Sequence, residues 1–180
     1  MFRTTHIQQF LAMVLSIVLV VVLTFTTEHA TAQVAGEKAK LSHVILFDGS
    51  KFDPSVVAGK PTLIYFWASW CPTCRREMRT LEKYYQAYKE QGFNIIAINF
   101  RDKPEKAIAM LDSIKPISYA VGTMNDEWLN EYPKVYATPT WMLVDKKGIL
   151  RKVITGKEVI SGGWFDGLES DLKKVIAENN

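Results

Sequence analysis

The sequence predicts an α/β domain, a mixed β-sheet flanked by helices, preceded by an N-terminal signal or membrane-anchor segment. Three observations carry that reading. Apolar and β-branched runs of strand length alternate with stretches of helical spacing between Pro61 and Val121, the pattern of strands joined by helices. Two strand-like runs then flank the Gly-containing turn Asp145-Lys146-Lys147-Gly148, as in a hairpin. From Gly163 onward Trp164, Leu168, Leu172, Val175 and Ile176 recur at helical spacing, a closing amphipathic helix.

Taken in order, Met1 to Gln9 carries one arginine, Phe10 to Phe25 is almost wholly apolar, and Ala30-Thr31-Ala32 offers the small-x-small pattern that signal peptidase reads. Residues 1–32 are therefore a signal peptide with a mature start at Gln33, or an uncleaved anchor. The apolar run, residues 10–25, is long for a signal core and short of the roughly 20 residues that cross a bilayer comfortably. Both outcomes export the remainder, to the periplasm or another extracytoplasmic site, secreted or tethered to the inner membrane. Residues 33–40 are small and polar, a short tether, and residues 41–180 have the length of one domain.

Within that domain Val44 to Phe47 reads as a short strand before an Asp48-Gly49 turn, and Asp53-Pro54 opens a loop to Gly59-Lys60. Pro61 to Ala68 is apolar at nearly every position, which marks a strand buried on both faces. A helix follows, with Cys74, Met78, Leu81, Tyr85 and Tyr88 on one stripe until Gly92 ends it. Phe93 to Phe100 is a second buried strand. Lys103 to Ile114 is helical through Ala107, Met110, Leu111 and Ile114, and Ile117 to Val121 is a strand after Pro116. Asn125 to Glu131 has room for one or two helical turns, and Thr140 to Val144 and Ile149 to Ile154 form the hairpin.

The chemistry concentrates in Trp70-Cys71-Pro72-Thr73-Cys74, whose cysteines are the only two in 180 residues. They sit where a central strand meets a helix start. Unpaired amides and the helix dipole favour negative charge there, so a thiol ionises more easily. Cys71 is accordingly the attacking thiolate, and Cys74, one turn on and facing inward, is the resolving thiol. Pro72 suits the first turn, where no amide bond is lost. A structural zinc site needs two further soft ligands, and His6, His29 and His43 all lie in or near the N-terminal segment, so no metal and no cofactor is expected. A purely structural disulfide is the other reading, although so small a loop removes little chain entropy.

Charge excludes other classes. Removing residues 1–32 takes away Arg3 and Glu28 and leaves 21 basic against 18 acidic residues, a net charge of +3. There is no run of five like charges and no interleaving of aromatic and basic residues of the kind single-strand binders use, so no nucleic acid partner is expected.

Phe66-Trp67-Ala68-Ser69-Trp70-Cys71-Pro72-Thr73-Cys74-Arg75-Arg76-Glu77-Met78, with Gly59-Lys60-Pro61 before it and Ala137-Thr138-Pro139-Thr140 and Leu143-Val144-Asp145 after it, resembles the TlpA-like branch of the thioredoxin superfamily. That branch includes the cytochrome c maturation reductases of the bacterial periplasm, and the likeness covers most of Val44 to Glu178. The resemblance implies a thioredoxin-like fold and a thiol:disulfide oxidoreductase acting on disulfide-bearing proteins. It implies a cis bond between Thr138 and Pro139 that faces the disulfide, and a substrate segment held strand-like by the backbone of Thr138, beside Trp70. It also implies an acid at Glu77. Helical spacing puts Glu77 at the edge of the apolar stripe, where burial would raise its pKa and let it exchange a proton with Cys74. A surface glutamate paired with a neighbouring arginine fits the same spacing.

The chain departs from the pattern in two places. Tyr65 stands where thioredoxins have a central-strand aspartate, and Arg79 where proline often kinks the helix. Pro72-Thr73 between the cysteines matches the reductases better than strong oxidases. Reduction in an oxidising compartment requires a membrane thiol-electron donor as partner, and the domain is expected to be a monomer. The alternatives are a periplasmic dithiol oxidase, a peroxidase, and a non-catalytic thioredoxin-like binding module. The peroxidase would need a Thr-x-x-Cys loop that Thr73, adjacent to Cys74, does not supply.

Overall fold

The structure, a computed structural model, describes residues 36–125, 132, 135–156 and 164–178. The N-terminal apolar segment and most of the expected turn at Asn125 to Glu131 lie outside them. Among the described residues no helix is long and apolar enough to cross a membrane.

The strands are β1 (Ile45–Leu46), β2 (Thr62–Trp67), β3 (Asn94–Asn99), β4 (Ala120–Thr123), β5 (Thr140–Val144) and β6 (Leu150–Thr155), and the helices are α1 (Pro72–Tyr88), α2 (Pro104–Ile114) and α3 (Trp164–Ala177). The strands form one mixed sheet in the order β1-β4-β3-β2-β5-β6. β2, β3 and β4 run parallel, while β1, β5 and β6 pair antiparallel to their neighbours. This is the thioredoxin-like arrangement of a mixed sheet flanked by helices.

β2 is central, and all six of its residues are buried. Its side chains alternate between two cores, as the pleat requires. Leu63, Tyr65 and Trp67 join the core that receives Cys74, Met78 and Leu81 of α1, Ala107, Met110 and Ile114 of α2, and Leu168, Leu172 and Val175 of α3. Ile64 and Phe66 face the other core with Phe52, Met124, Tyr132 and Val135.

Local chemistry sets the turns. Asp48 accepts from the backbone and hydroxyl of Ser50 around Gly49, and Asp145 accepts from the amides of Lys147 and Ile149 in the β5–β6 hairpin. α1 starts with Pro72 in its first turn, runs unbroken past Arg79, and passes through a short 3-10 turn to Gly92, whose φ of 86° is the left-handed stop expected there.

Two strands differ from the sequence reading. The first spans only Ile45–Leu46. The strand expected at Ile117 to Val121 is Ala120–Thr123, because the preceding residues bind α1: the amide and hydroxyl of Ser118 both donate to Glu82, and the Tyr119 hydroxyl donates to the Met78 carbonyl. The tether is not loose at its end. Gly36 to Ala39 runs beside the β5–β6 turn through amide bonds to Gly148 and Leu150.

Candidate active site

Cys71 is the N-cap of α1, and its Sγ accepts from the Cys74 amide at 3.1 Å. A backbone donor is thus aimed at the sulfur at the positive end of the helix, the arrangement that favours thiolate once the pair is reduced. The two cysteines are disulfide-bonded with their Cα atoms 5.3 Å apart. Cys71 keeps 5% of its surface in solvent and Cys74 none, so an incoming sulfur can reach only Cys71. Trp70 immediately before it is 59% exposed.

The loop that presents Cys71 is fastened from beneath by a residue that sequence reading did not single out. Asp102, just beyond β3, accepts from the Ser69 amide and hydroxyl, from the Asn99 side chain and from the Lys103 amide. Burial opposes its charge, yet these bonds outweigh it and hold the carboxyl below its ordinary pKa. Arg101, at φ 44°, makes the left-handed turn that brings Asp102 back towards Ser69. The available signal was a set of polar residues at the C-terminal ends of adjacent parallel strands, where ligand sites gather.

Glu77 is buried, with 3% exposure, on the same face of α1 as Cys74. Desolvation raises its pKa to about 7, and the Tyr65 hydrogen bond, the nearby Trp141 indole and the charge of Arg76 offset part of that rise. Tyr65, the substituent for the strand aspartate, donates its hydroxyl to Glu77 Oε2 at 2.8 Å. Its ring packs edge-on against Trp141, centroids 5.2 Å apart. Two aromatic side chains and one carboxylate therefore build a proton-holding pocket behind the disulfide, in which the sequence pointed to Glu77 as the acid and to Tyr65 only as a departure from the family pattern, and not to Trp141.

The Thr138–Pro139 bond is cis. β5 begins at the next residue, and Thr140 pairs with Phe66 near the end of antiparallel β2. Pro139 and Cys71 therefore emerge at the same end of the sheet. Thr140 Oγ1 donates to the Ala137 carbonyl and fixes the turn, and the Thr138 carbonyl lies against Gly156. Trp70, Thr138 and Pro139 are thus brought to the end of the sheet that carries the disulfide. Among the described residues no cluster of three or more His, Cys, Asp or Glu side chains is placed to hold a metal.

The family profile described as Redoxin matches residues 34–175. The thiol:disulfide interchange protein DsbE of Vibrio cholerae is 32% identical over 131 residues, covering 72% of this chain and 68% of that protein. The thiol-disulfide oxidoreductase ResA of Halalkalibacterium halodurans is 33% identical over 124 residues, covering 68% of this chain and 69% of that one. Among solved structures, a thiol:disulfide interchange protein of the thioredoxin family from Chlorobium tepidum superposes with a TM-score of 0.62 at 22% identity, over 82% of this chain and all of that one. A thiol-disulfide isomerase from Corynebacterium glutamicum gives 0.66 at 20% identity, over 80% of this chain and 98% of that one; these two likenesses concern the fold.

Proposed function

Because this chain belongs to the Redoxin family and is a thiol:disulfide oxidoreductase of the DsbE and ResA type, we propose that it works outside the cytoplasm in the reducing direction, opening disulfides of client proteins. The observation that carries the mechanism is the inequality of the two sulfurs: Cys71 touches solvent at the helix N-cap, while Cys74 is enclosed. In the reduced protein the Cys71 thiolate attacks one sulfur of a client disulfide. The S–S bond breaks, the second client sulfur leaves as thiolate and takes a proton from solvent, and a mixed disulfide joins client to Cys71. Cys74 then gives its proton to the Glu77 carboxylate and attacks Cys71 Sγ, so the bond to the client breaks, the remaining client sulfur leaves as thiolate and is protonated from solvent, and the internal disulfide closes. Two electrons pass from the protein to the client. A membrane thiol-electron donor returns them, and the domain acts as a monomer.

Trp70 and the Thr138–Pro139 turn supply the surface on which the client segment lies, its backbone paired with that of Thr138. Pro72-Thr73 between the cysteines supports the reducing direction, as does the likeness to cytochrome c maturation reductases, which makes apocytochrome disulfides the first clients to test.

A Cys74→Ala variant is expected to accumulate client proteins on Cys71 as mixed disulfides, identified by mass spectrometry after non-reducing separation, whereas Cys71→Ser captures none. The reduction potential of the pair decides direction. A value near about −120 mV, that of a strong dithiol oxidant, overturns the reducing assignment.

A further inference from the structure

The groove beside the disulfide carries charge that thiol exchange by itself does not require. Trp70 forms one wall, Arg101, Asp102, Lys103 and Lys106 after β3 and at the start of α2 form another, and Thr123 of β4 closes it. Among the described residues, three cationic side chains, Arg101, Lys103 and Lys106, line it against one carboxylate, that of Asp102. That carboxylate is already engaged by Ser69, Asn99 and the Lys103 amide. The Arg101 guanidinium lies over the Phe100 ring, 5.0 Å from its centroid, which holds the head group at the rim.

The placement of the lysines opposes helix stability. Lys103 is the N-cap of α2 and supplies no side-chain cap bond, and Lys106 lies in the first turn, where the helix dipole favours acids; Glu105, the acid of that turn, does not line the groove. Cations and the positive helix end therefore add in sign beside an exposed tryptophan, next to the reactive sulfur.

We propose that this groove docks an acidic stretch of the client protein flanking the disulfide to be opened. The proposal rests on the reading of the chain as a reductase of protein disulfides and names the clients it selects. Carboxylates on the client are drawn to Arg101, Lys103 and Lys106 and raise the encounter rate, while the Trp70 indole offers a flat apolar surface to the segment between them.

The test uses the reduced full chain and three disulfides: two peptides of equal length whose cystine is flanked by Asp and Glu or by Lys and Arg, and uncharged bis(2-hydroxyethyl) disulfide. The readout is the ratio of the two peptide rates, so that any general change in thiol reactivity cancels. At low ionic strength the acidic peptide is expected to react ~10-fold faster, the lower end of electrostatic steering. The ratio is expected to approach one in about 0.5 M salt, where the Debye length falls to a few ångström. Lys103→Glu with Lys106→Glu inverts the preference, and the milder Lys103→Gln with Lys106→Gln abolishes it. Equal rates in the native chain, or a preference that survives high salt or charge reversal, overturn the docking proposal and leave the reductase reading standing. Failure to react with the uncharged disulfide removes both.

Discussion

The Tyr65 hydroxyl donates to Glu77 Oε2 at 2.8 Å, tying the central strand to the active-site helix inside the core. Burial first, and then the charge and hydrogen bond of Glu77, raise the tyrosine's own pKa well above its ordinary value, so it stays protonated as a donor. The titrating member of the pair is the carboxyl, with a pKa of about 7. A strand aspartate would place two carboxyls in this space. Tyrosine leaves one, together with a fixed donor for its charged form.

Glu77 should make stability fall with rising pH over a defined window. Its native pKa is about 7 against an ordinary 4.5, so between those values the folded protein keeps a proton that the unfolded chain has released. The stabilisation is complete below 4.5, declines as pH rises towards 7, and is gone above it. At roughly 1.4 kcal/mol per pH unit the change across the window is about 3 kcal/mol. Glu77→Gln removes the titration, so denaturant unfolding of the oxidised protein should show the variant gaining about that amount on the native chain between pH 4.5 and 8. An unchanged slope in the variant would exclude Glu77 as its source.

Tyr65→Phe acts on the same carboxyl in the other direction. Loss of the hydroxyl removes a bond that favours the charged form, so the Glu77 pKa should rise further. The variant should be destabilised more at pH 8, where the carboxylate loses its donor, than at pH 5, by about 1–3 kcal/mol. Release of a chromophoric thiol from a mixed disulfide on Cys71 should need a higher pH than in the native chain, because Glu77 can accept the Cys74 proton only once it has lost its own. A pH profile of release identical to the native one would separate Glu77 from resolution.

Sequence periodicity located β2, α1 and β5 closely, because each carries its instruction locally. β2 is apolar at almost every residue, α1 has a proline in its first turn and a glycine stop, and β5 sits beside a glycine turn. The cysteine pair was legible for the same reason. The support for the site was not. Tyr65 and Glu77 are 12 residues apart, Ser69 and Asp102 are 33 apart, and each pair exists only because a strand and its neighbour are brought side by side. Tyr65 stood out as a departure from a family pattern, yet its role depends on Trp141, a residue of β5 that reaches it across the sheet. The late start of β4 likewise follows from Glu82 claiming Ser118, a tertiary bond that no local pattern announces.

Asp102→Asn should loosen the loop before Cys71. An asparagine has one acceptor oxygen in place of two, so it cannot serve the Ser69 amide and hydroxyl, the Asn99 side chain and the Lys103 amide together. A loss of about 1–2 kcal/mol in stability is expected, with faster exchange of the Ser69 amide proton. Asp102 titrates below its ordinary value, so its contribution is present above that value and vanishes as pH falls through the native one. The variant and the native chain should therefore converge in acid, which melting curves at pH 7 and below pH 3.8 can show.

Gly156→Ala probes the client surface without touching a sulfur. A Cβ at this position would stand 3.2 Å from the Thr138 carbonyl oxygen and 3.3 Å from that of Pro139, both backbone atoms that cannot rotate aside. The turn carrying Thr138 must therefore move by a few tenths of an ångström, while Cys71, held by α1 and by the Asp102 bonds to Ser69, has no reason to follow. A client that pairs with the Thr138 backbone would meet the sulfur in a slightly altered register. Misplacement of that size should lower the rate with a peptide disulfide by about 3- to 10-fold, since reaction depends steeply on alignment at contact distance. A small uncharged disulfide lies on no strand-like surface and should lose less than about twofold by the same reasoning. Equal losses for the two substrates would assign the effect to the thiols and remove the Thr138 backbone from client binding.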